Sequence, residues 1–388
     1  MIEVDATPRQ RLGMPPVRFL REYWQKRPLL IRGAFPHFHN AITPEDLAGL
    51  ACEEAALARI VVRGTRARYS VRNGPFAEGD FARLPKTRWT LLVQDVDKWD
   101  MDVAALLDAF DFVPSWRIDD VMVSYATDGG GVGPHVDNYD VFLVQGRGRR
   151  RWRISVDPEA PKEFRADAEL KLLRRFAPTH DWVLETGDTL YLPPGVPHEG
   201  TALGECTTFS IGMRAPSRAE LLFDLAEFLA EPLREEDRYT DPDLAVAAEP
   251  GEIDRAALAR VRRALPPGFG DLDATALRRW FGAFITRYRV AHEAAAATRR
   301  VNVSDFARRL RSVRLLRHPW TRMAWVRVGN AAELYVAGTR HSCSIALAKR
   351  LTAAREIAGA EFADSARGDL DTLTALVNGG HLRMLASR

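Results

Sequence analysis

Between about residues 58 and 215 the chain is written in short β-type runs, each cut off by glycine or proline. ARIVVR (58–63), RWTLLVQDV (88–96), DDVMVSYA (119–126), YDVFLVQG (139–146), RRWRISV (150–156), WVLETGDTLYLP (182–193) and CTTFSIGMRA (206–215) follow one another with few helical patterns between them. Such spacing predicts an antiparallel sandwich or barrel, because parallel strands need a long crossover, usually a helix, between them. Upstream, Phe19, Tyr23 and Trp24 share a helical face, Pro28 stops that helix, and LLIRGAF (29–35) reads as a strand. Thr43-Pro44-Glu45-Asp46 is a helix start, with Thr43 as N-cap and acids beside the positive end of the dipole.

After Pro216 the strands vanish. Leu221, Leu225, Phe228 and Leu229 recur at helical spacing, as do Leu277, Phe281, Phe284 and Tyr288, with a polar, proline-bearing connector between. From about residue 299 arginines crowd the chain (Arg299, Arg300, Arg308, Arg309, Arg311, Arg314), interleaved with Leu310, Val313, Leu315 and Leu316 as on an amphipathic helix. Strand-like MAWVRV and AELYVAG follow. The expected class is α+β in three parts, 1–215, 216–298 and 299–388, in keeping with a length of 388 residues.

Composition narrows the function classes. With 46% hydrophobic and 28% charged residues the chain is an ordinary globular one, and no apolar run approaches the ~18–20 residues that span a bilayer. Three scattered cysteines without a CxxC pair argue against a disulfide framework and against a cysteine zinc site. No signal peptide is visible, so a soluble cytoplasmic protein is expected. A net charge of +3 is too small to imply nucleic-acid binding by itself, and no cluster of base-reading side chains stands out in the basic part, so no sequence-specific DNA binding is expected.

The chemistry lies in the β-rich part. His135 and Asp137 sit two apart in GGGVGPHVDNYDVFLVQG, whose alternation predicts a strand with both side chains on one face. His198 lies in YLPPGVPHEG, at the end of another expected strand. In a double-stranded β-helix these two places reach a common mouth. Two imidazoles and one carboxylate leave coordination positions open, the arrangement of non-haem Fe(II) oxygenases. HxD alone also fits a polar pair capping a strand, and a zinc or manganese cupin remains an alternative. A 2-oxoglutarate enzyme further needs a cation for the far carboxylate of the cosubstrate. In RRRWRI, Arg150 alternates with Trp152 and Ile154 and so points inward, whereas Arg149, Arg151 and Arg153 point outward. A buried arginine calls for a carboxylate, which a ligand can supply through a bidentate pair.

GGGVGPHVDNYDVFLVQGRGRRRWRI, LYLPPGVPHEG and FLREYWQKRPLLIRGAF together resemble the JmjC-type ribosomal oxygenases, as do RYTDPDL (238–244) and ALVNGGHL (375–382). The resemblance covers essentially the whole chain. It implies a JmjC cupin barrel, a helical dimerisation region and a C-terminal winged helix. It implies Fe(II) held by His135, Asp137 and His198, and 2-oxoglutarate paired with Arg150 beside a hydroxyl, for which Ser124 fits and Ala126 does not. Tyr139 is expected to line the substrate entrance. The implied reaction is hydroxylation of an arginine β-carbon in large-subunit ribosomal protein L-sixteen, by a homodimer. Tyr139, Asp140, Asp119 and Asp120 are the acidic and aromatic groups available to a basic target segment. A histidine-directed hydroxylase, a lysine demethylase, a small-molecule hydroxylase and a non-catalytic cupin stay open as other readings.

Overall fold

The computed structural model describes residues 2–39, 41–65, 68–167, 169–240, 242, 255–266, 270, 272–287 and 294–386. Tyr288, most of the connector and part of RYTDPDL lie outside the described residues. The chain divides into two units, Met1–Ala215 and Pro216–Arg388.

Among the described residues the first unit is built on twelve strands. They are β1 (Glu3–Asp5), β2 (Leu29–Arg32), β3 (Ala58–Arg63), β4 (Tyr69–Asn73), β5 (Trp89–Val93) and β6 (Ile118–Ala126). Then come β7 (Val141–Gln145), β8 (Arg149–Ile154), β9 (His180–Leu184), β10 (Thr189–Leu192), β11 (His198–Leu203) and β12 (Cys206–Met213). Nine of them form one sheet in the order β1, β2, β10, β7, β12, β6, β5, β3, β4, and the other three form a sheet in the order β11, β8, β9. Every pairing is antiparallel except that of β1 with β2.

Alternation along β7 explains the layering. Phe142 and Val144 enter a core with Phe19, Tyr23, Tyr191 and Phe209, whereas Val141 and Leu143 enter a second core with Trp152, Ile154 and Leu184. Burying each such ring or branched side chain contributes on the order of 2 kcal/mol, so a one-residue slip of β7 would lose packing on both sides. The N-terminal helix Pro16–Glu22 supplies Phe19, whose ring meets Tyr191 at 4.9 Å between centroids. The Thr43 capping box forms as expected, with its hydroxyl accepting from the Asp46 amide.

The second unit begins with the helix Arg218–Ala230, whose Ser217 cap accepts from the Glu220 amide. The expected stripe of Leu221, Leu225, Phe228 and Leu229 is only half-buried there. The helix Ala274–Thr286 lies against β14 (Met323–Val328), β15 (Ala331–Val336) and β16 (Thr339–Ser344). Gly282 permits this approach, since a Cβ there would stand 2.5 Å from the Tyr335 ring. Val313–Leu316, read above as part of an amphipathic helix, is instead in strand β13 (Val313–Arg317), paired with β17 (Glu356–Ala358) and β18 (Leu382–Ala386). Its apolar residues alternate rather than recur at helical spacing: Val313 and Leu315 are buried, Arg314 and Leu316 half-buried. Arg311 and Arg314 are paired with Asp364 and Glu356. Among the described residues no helix is long and apolar enough to cross a membrane.

Candidate active site

His135, Asp137 and His198 come together. Each offers one ligand atom, and these atoms all lie within 4.8 Å of one another. Asp137 Oδ2 is 3.6 Å from His198 Nε2, and Asp137 Oδ1 is 4.0 Å from His135 Nε2. The backbone around them is not the expected strand. Gly133 at φ +79° turns the chain, Pro134 has no N–H to give a ladder, and regular pairing resumes only at Val141. What remains is an isolated bridge, His135 N–H to His198 O at 3.0 Å and His198 N–H to His135 O at 2.9 Å. The Gly195 N–H donates to the Asp137 carbonyl at 2.7 Å, tying the segment to the turn before β11. His198 thus opens a strand instead of ending one.

The two rings are held in one tautomer. Nδ1 of His135 lies 2.9 Å from the Gly133 carbonyl and Nδ1 of His198 lies 2.9 Å from the Val196 carbonyl. A carbonyl only accepts, so each Nδ1 carries the proton and each Nε2 keeps its lone pair for a ligand. Burial, and then the neighbouring His135, push the His198 imidazole down to about 4, so it is neutral at physiological pH. Two bare Nε2 atoms and one carboxylate suit a divalent transition metal.

Arg150 sits in the interior of the same cavity. Along β8 the burial alternates, with Arg149 and Arg151 exposed and Arg150 only 5% exposed. Its Nη1 donates to Ser124 Oγ at 3.1 Å and to Thr208 Oγ1 at 3.0 Å, while its buried Nε has no partner. Among the described residues no carboxylate pairs with it. An enclosed guanidinium without a counterion is costly, and a ligand carboxylate would relieve that cost. Thr208 escaped the sequence reading. It faces Ser124 across β12 and β6, and alternation in CTTFSIG puts Thr208, Ser210 and Gly212 on one face.

Tyr139 lines the cavity at 42% exposure, on the bend after Asp137 and not on a strand face. Burial, and then the Asp137 carboxylate, hold its phenol above the usual range. Asp120 lines the same cavity. Burial first, then Asp95, Asp97 and Asp119, push its carboxyl up to about 8. Asp140, counted above among groups at the mouth, is instead fully buried scaffold: it accepts from Tyr191 at 2.6 Å, Gln25 at 2.9 Å and Arg117 at 3.4 Å.

A JmjC domain matches residues 105–221, and a ROXA-like winged helix matches residues 271–383. The ribosomal protein uL16 3-hydroxylase of Escherichia coli is 39% identical over 271 residues, 70% of this chain and 71% of that one. The chain belongs to the JmjC ribosomal oxygenases. Within that family, a probable ribosomal oxygenase of Haemophilus influenzae is 38% identical over 230 residues, 59% of this chain and 55% of that protein. The structure of YcfD, a ribosomal oxygenase from Escherichia coli, in complex with cobalt and 2-oxoglutarate matches with a TM-score of 0.78 at 33% identity. It covers 96% of this chain and 99% of that chain. The fold is accordingly a JmjC cupin barrel with a C-terminal winged helix, as the sequence motifs implied.

Proposed function

We propose that this JmjC ribosomal oxygenase is an Fe(II)- and 2-oxoglutarate-dependent protein hydroxylase acting on the β-carbon of an arginine in large-subunit ribosomal protein L-sixteen. The observation that carries the reading is the pairing, in one cavity, of the His135–Asp137–His198 cluster with the counterion-free Arg150. A 2-oxo acid whose far end is a carboxylate is complementary to both. His135, Asp137 and His198 hold the metal, Arg150 takes the distal carboxylate, and Ser124 and Thr208 orient the guanidinium. Bound iron, with 2-oxoglutarate and dioxygen, supplies the oxidation of an unactivated C–H bond, leaving succinate and carbon dioxide as co-products.

Arginine as the target residue is supported by Asp120, which lines the same cavity. Asp120 is held partly protonated by burial and by three neighbouring carboxylates, so an entering guanidinium supplies the missing positive charge and favours its ionised form. Tyr139 flanks the entrance and offers a face for the guanidinium to stack on. The test is incubation of the purified protein with Fe(II), 2-oxoglutarate and large-subunit ribosomal proteins, followed by peptide mass spectrometry. A gain of one oxygen on an arginine of L-sixteen is expected; a gain on histidine would transfer the reading to the histidine-directed class.

The same reading places the protein in the cytoplasm with its ribosomal substrate, as a homodimer formed through the helical region after Pro216, ahead of the winged helix matched over 271–383. Exposed Leu222 and Phe223, at 57% and 75%, support a self-complementary patch on the helix Arg218–Ala230. Light scattering is expected to give twice the 43.5 kDa chain mass, falling to one chain mass in Leu222→Asp/Phe223→Asp. No sequence-specific DNA binding is expected, because several arginines of the basic part are already paired with Asp305, Asp364 and Glu356.

A further inference from the structure

Along the cavity wall stands one donor-only residue whose role the cluster and Arg150 do not explain. The Ser124 hydroxyl donates to the Thr208 carbonyl at 3.5 Å, and the Thr208 hydroxyl to Gln145 Oε1 at 3.3 Å, so both are occupied. Among the described residues, three side chains that line the cavity keep a buried polar atom with no partner: Thr90 Oγ1, Arg150 Nε and Trp152 Nε1. Thr90 Oγ1 stands 3.1 Å from where a Cβ on Gly130 would be, against the glycine turn. Arg150 Nε belongs to the anchor already described. Trp152 is different.

The register of β8 with β11 shows why. Arg150 is opposite Ala202, Trp152 opposite Gly200, and Ile154 opposite His198. Inward residues of a strand recur every ~6.7 Å, so the Trp152–Gly200 pair is the step between the guanidinium and the metal cluster. A molecule reaching from one to the other crosses it. Gly200 is what lets the indole lie there: a Cβ at that position would stand 2.8 Å from Cη2 and Cζ3 of the ring. The ring is flanked by His198, at 6.0 Å between centroids, and by Arg150, whose Cζ is 5.6 Å from its centroid. An indole N–H can only donate, and Trp152 is 5% exposed, so water does not readily satisfy it. Buried donors left without a partner are rare and costly.

We propose that the Trp152 indole N–H donates a hydrogen bond to a carboxylate oxygen of bound 2-oxoglutarate and so fixes how the cosubstrate lies between Arg150 and His198. This rests on the cosubstrate reading above, and the experiment separates the two. Full-length protein loaded with zinc, which does not turn over, is titrated with 2-oxoglutarate by calorimetry and by following the nitrogen-15 indole resonances of its nine tryptophans. One indole N–H resonance, identified by its absence from the spectrum of Trp152→Phe, is expected to move downfield as the ligand binds. Trp152→Phe keeps an aromatic ring without the donor, and should bind 2-oxoglutarate about tenfold more weakly with zinc affinity unchanged. Binding to the wild type with no shift of that resonance overturns the proposal, and so does a Trp152→Phe protein that binds as tightly as wild type. If Trp152→Phe fails to fold, the wild-type resonance decides alone. If the wild type takes up no 2-oxoglutarate at all, the cosubstrate reading itself falls.

Discussion

The metal end of the cavity and its guanidinium end are built on different kinds of backbone. His135 and Asp137 stand on an irregular segment held by one isolated bridge and one turn contact, and both remain part-exposed. Arg150, Ser124 and Thr208 stand within the regular ladders of β8, β6 and β12. On the proposed reading, the part-exposed end receives a metal, dioxygen and a protein substrate, which need vacant coordination positions and access from solvent. The closed end needs a single fixed charge and excludes water, where a guanidinium–carboxylate pair is strongest. On the proposed reading, the difference teaches that the first site tolerates backbone irregularity because a bound metal would organise it, whereas the second must be organised beforehand.

The largest effect is expected at the open end. His135→Ala, Asp137→Ala or His198→Ala should cost more than the ~10–100-fold in metal affinity typical of losing a group that only orients a ligand. Thermal unfolding of the metal-free His135→Ala and Asp137→Ala proteins should stay near wild type, because both side chains are part-exposed on an irregular segment. Near-normal succinate production by any of the three would show that the cluster is not the metal site.

Arg150→Ala comes next. Losing a desolvated partner of the distal carboxylate should weaken 2-oxoglutarate binding by about 2–5 kcal/mol, while metal affinity is retained. Arg149→Ala and Arg151→Ala should leave it unchanged, since both side chains are exposed and Arg151 is spent on a surface pair with Asp181. Equal losses at all three would mean that the closed end is not organised by strand parity. Asp120→Asn should act on the substrate alone. Removing a carboxylate partner of a guanidinium costs about 1.5–3 kcal/mol, read as a raised KM for an arginine peptide with the 2-oxoglutarate KM unmoved. A change confined to 2-oxoglutarate would assign Asp120 to the cosubstrate and not to the substrate.

How much of this was legible in the sequence follows the same division. Arg150 was readable from parity alone, because β8 is regular and its inward neighbours Trp152 and Ile154 are apolar. His135, Asp137 and His198 were readable as residue types in a motif. Their backbone was not: the alternation of HVDNYDV continues into β7, yet Gly133 and Pro134 break the ladder before it can form. Counting by two back from Ser124 reaches Asp120, so the signal for that residue existed once Ser124 was set inward. Its partner Asp119 is skipped by the register shift at Gly212/Met213, which is why the pair could not be sorted by pattern. Thr208 needed the pairing of two strands far apart in sequence. Val313–Leu316 misled because four apolar or basic residues on a short strand satisfy a helical pattern nearly as well.

The smallest predicted effect tests the organisation of the closed end itself. Arg150 Nη1 has two acceptors, Ser124 Oγ and Thr208 Oγ1, at nearly equal distances. Nη1 carries two N–H bonds, so with either hydroxyl present one of them still has its acceptor and the guanidinium keeps its alignment. Ser124→Ala or Thr208→Val alone should therefore weaken 2-oxoglutarate binding by only about 1 kcal/mol. The double variant orphans the donor and frees the guanidinium to leave its alignment. Its loss should exceed the sum of the single losses by 0.5 kcal/mol or more, roughly the coupling seen between residues that share a partner. Calorimetric titration of the metal-loaded wild type, both single variants and the double variant completes the cycle. Strict additivity would mean that each hydroxyl acts independently of Arg150, and that the guanidinium is held by packing against Trp152 and the strand walls instead.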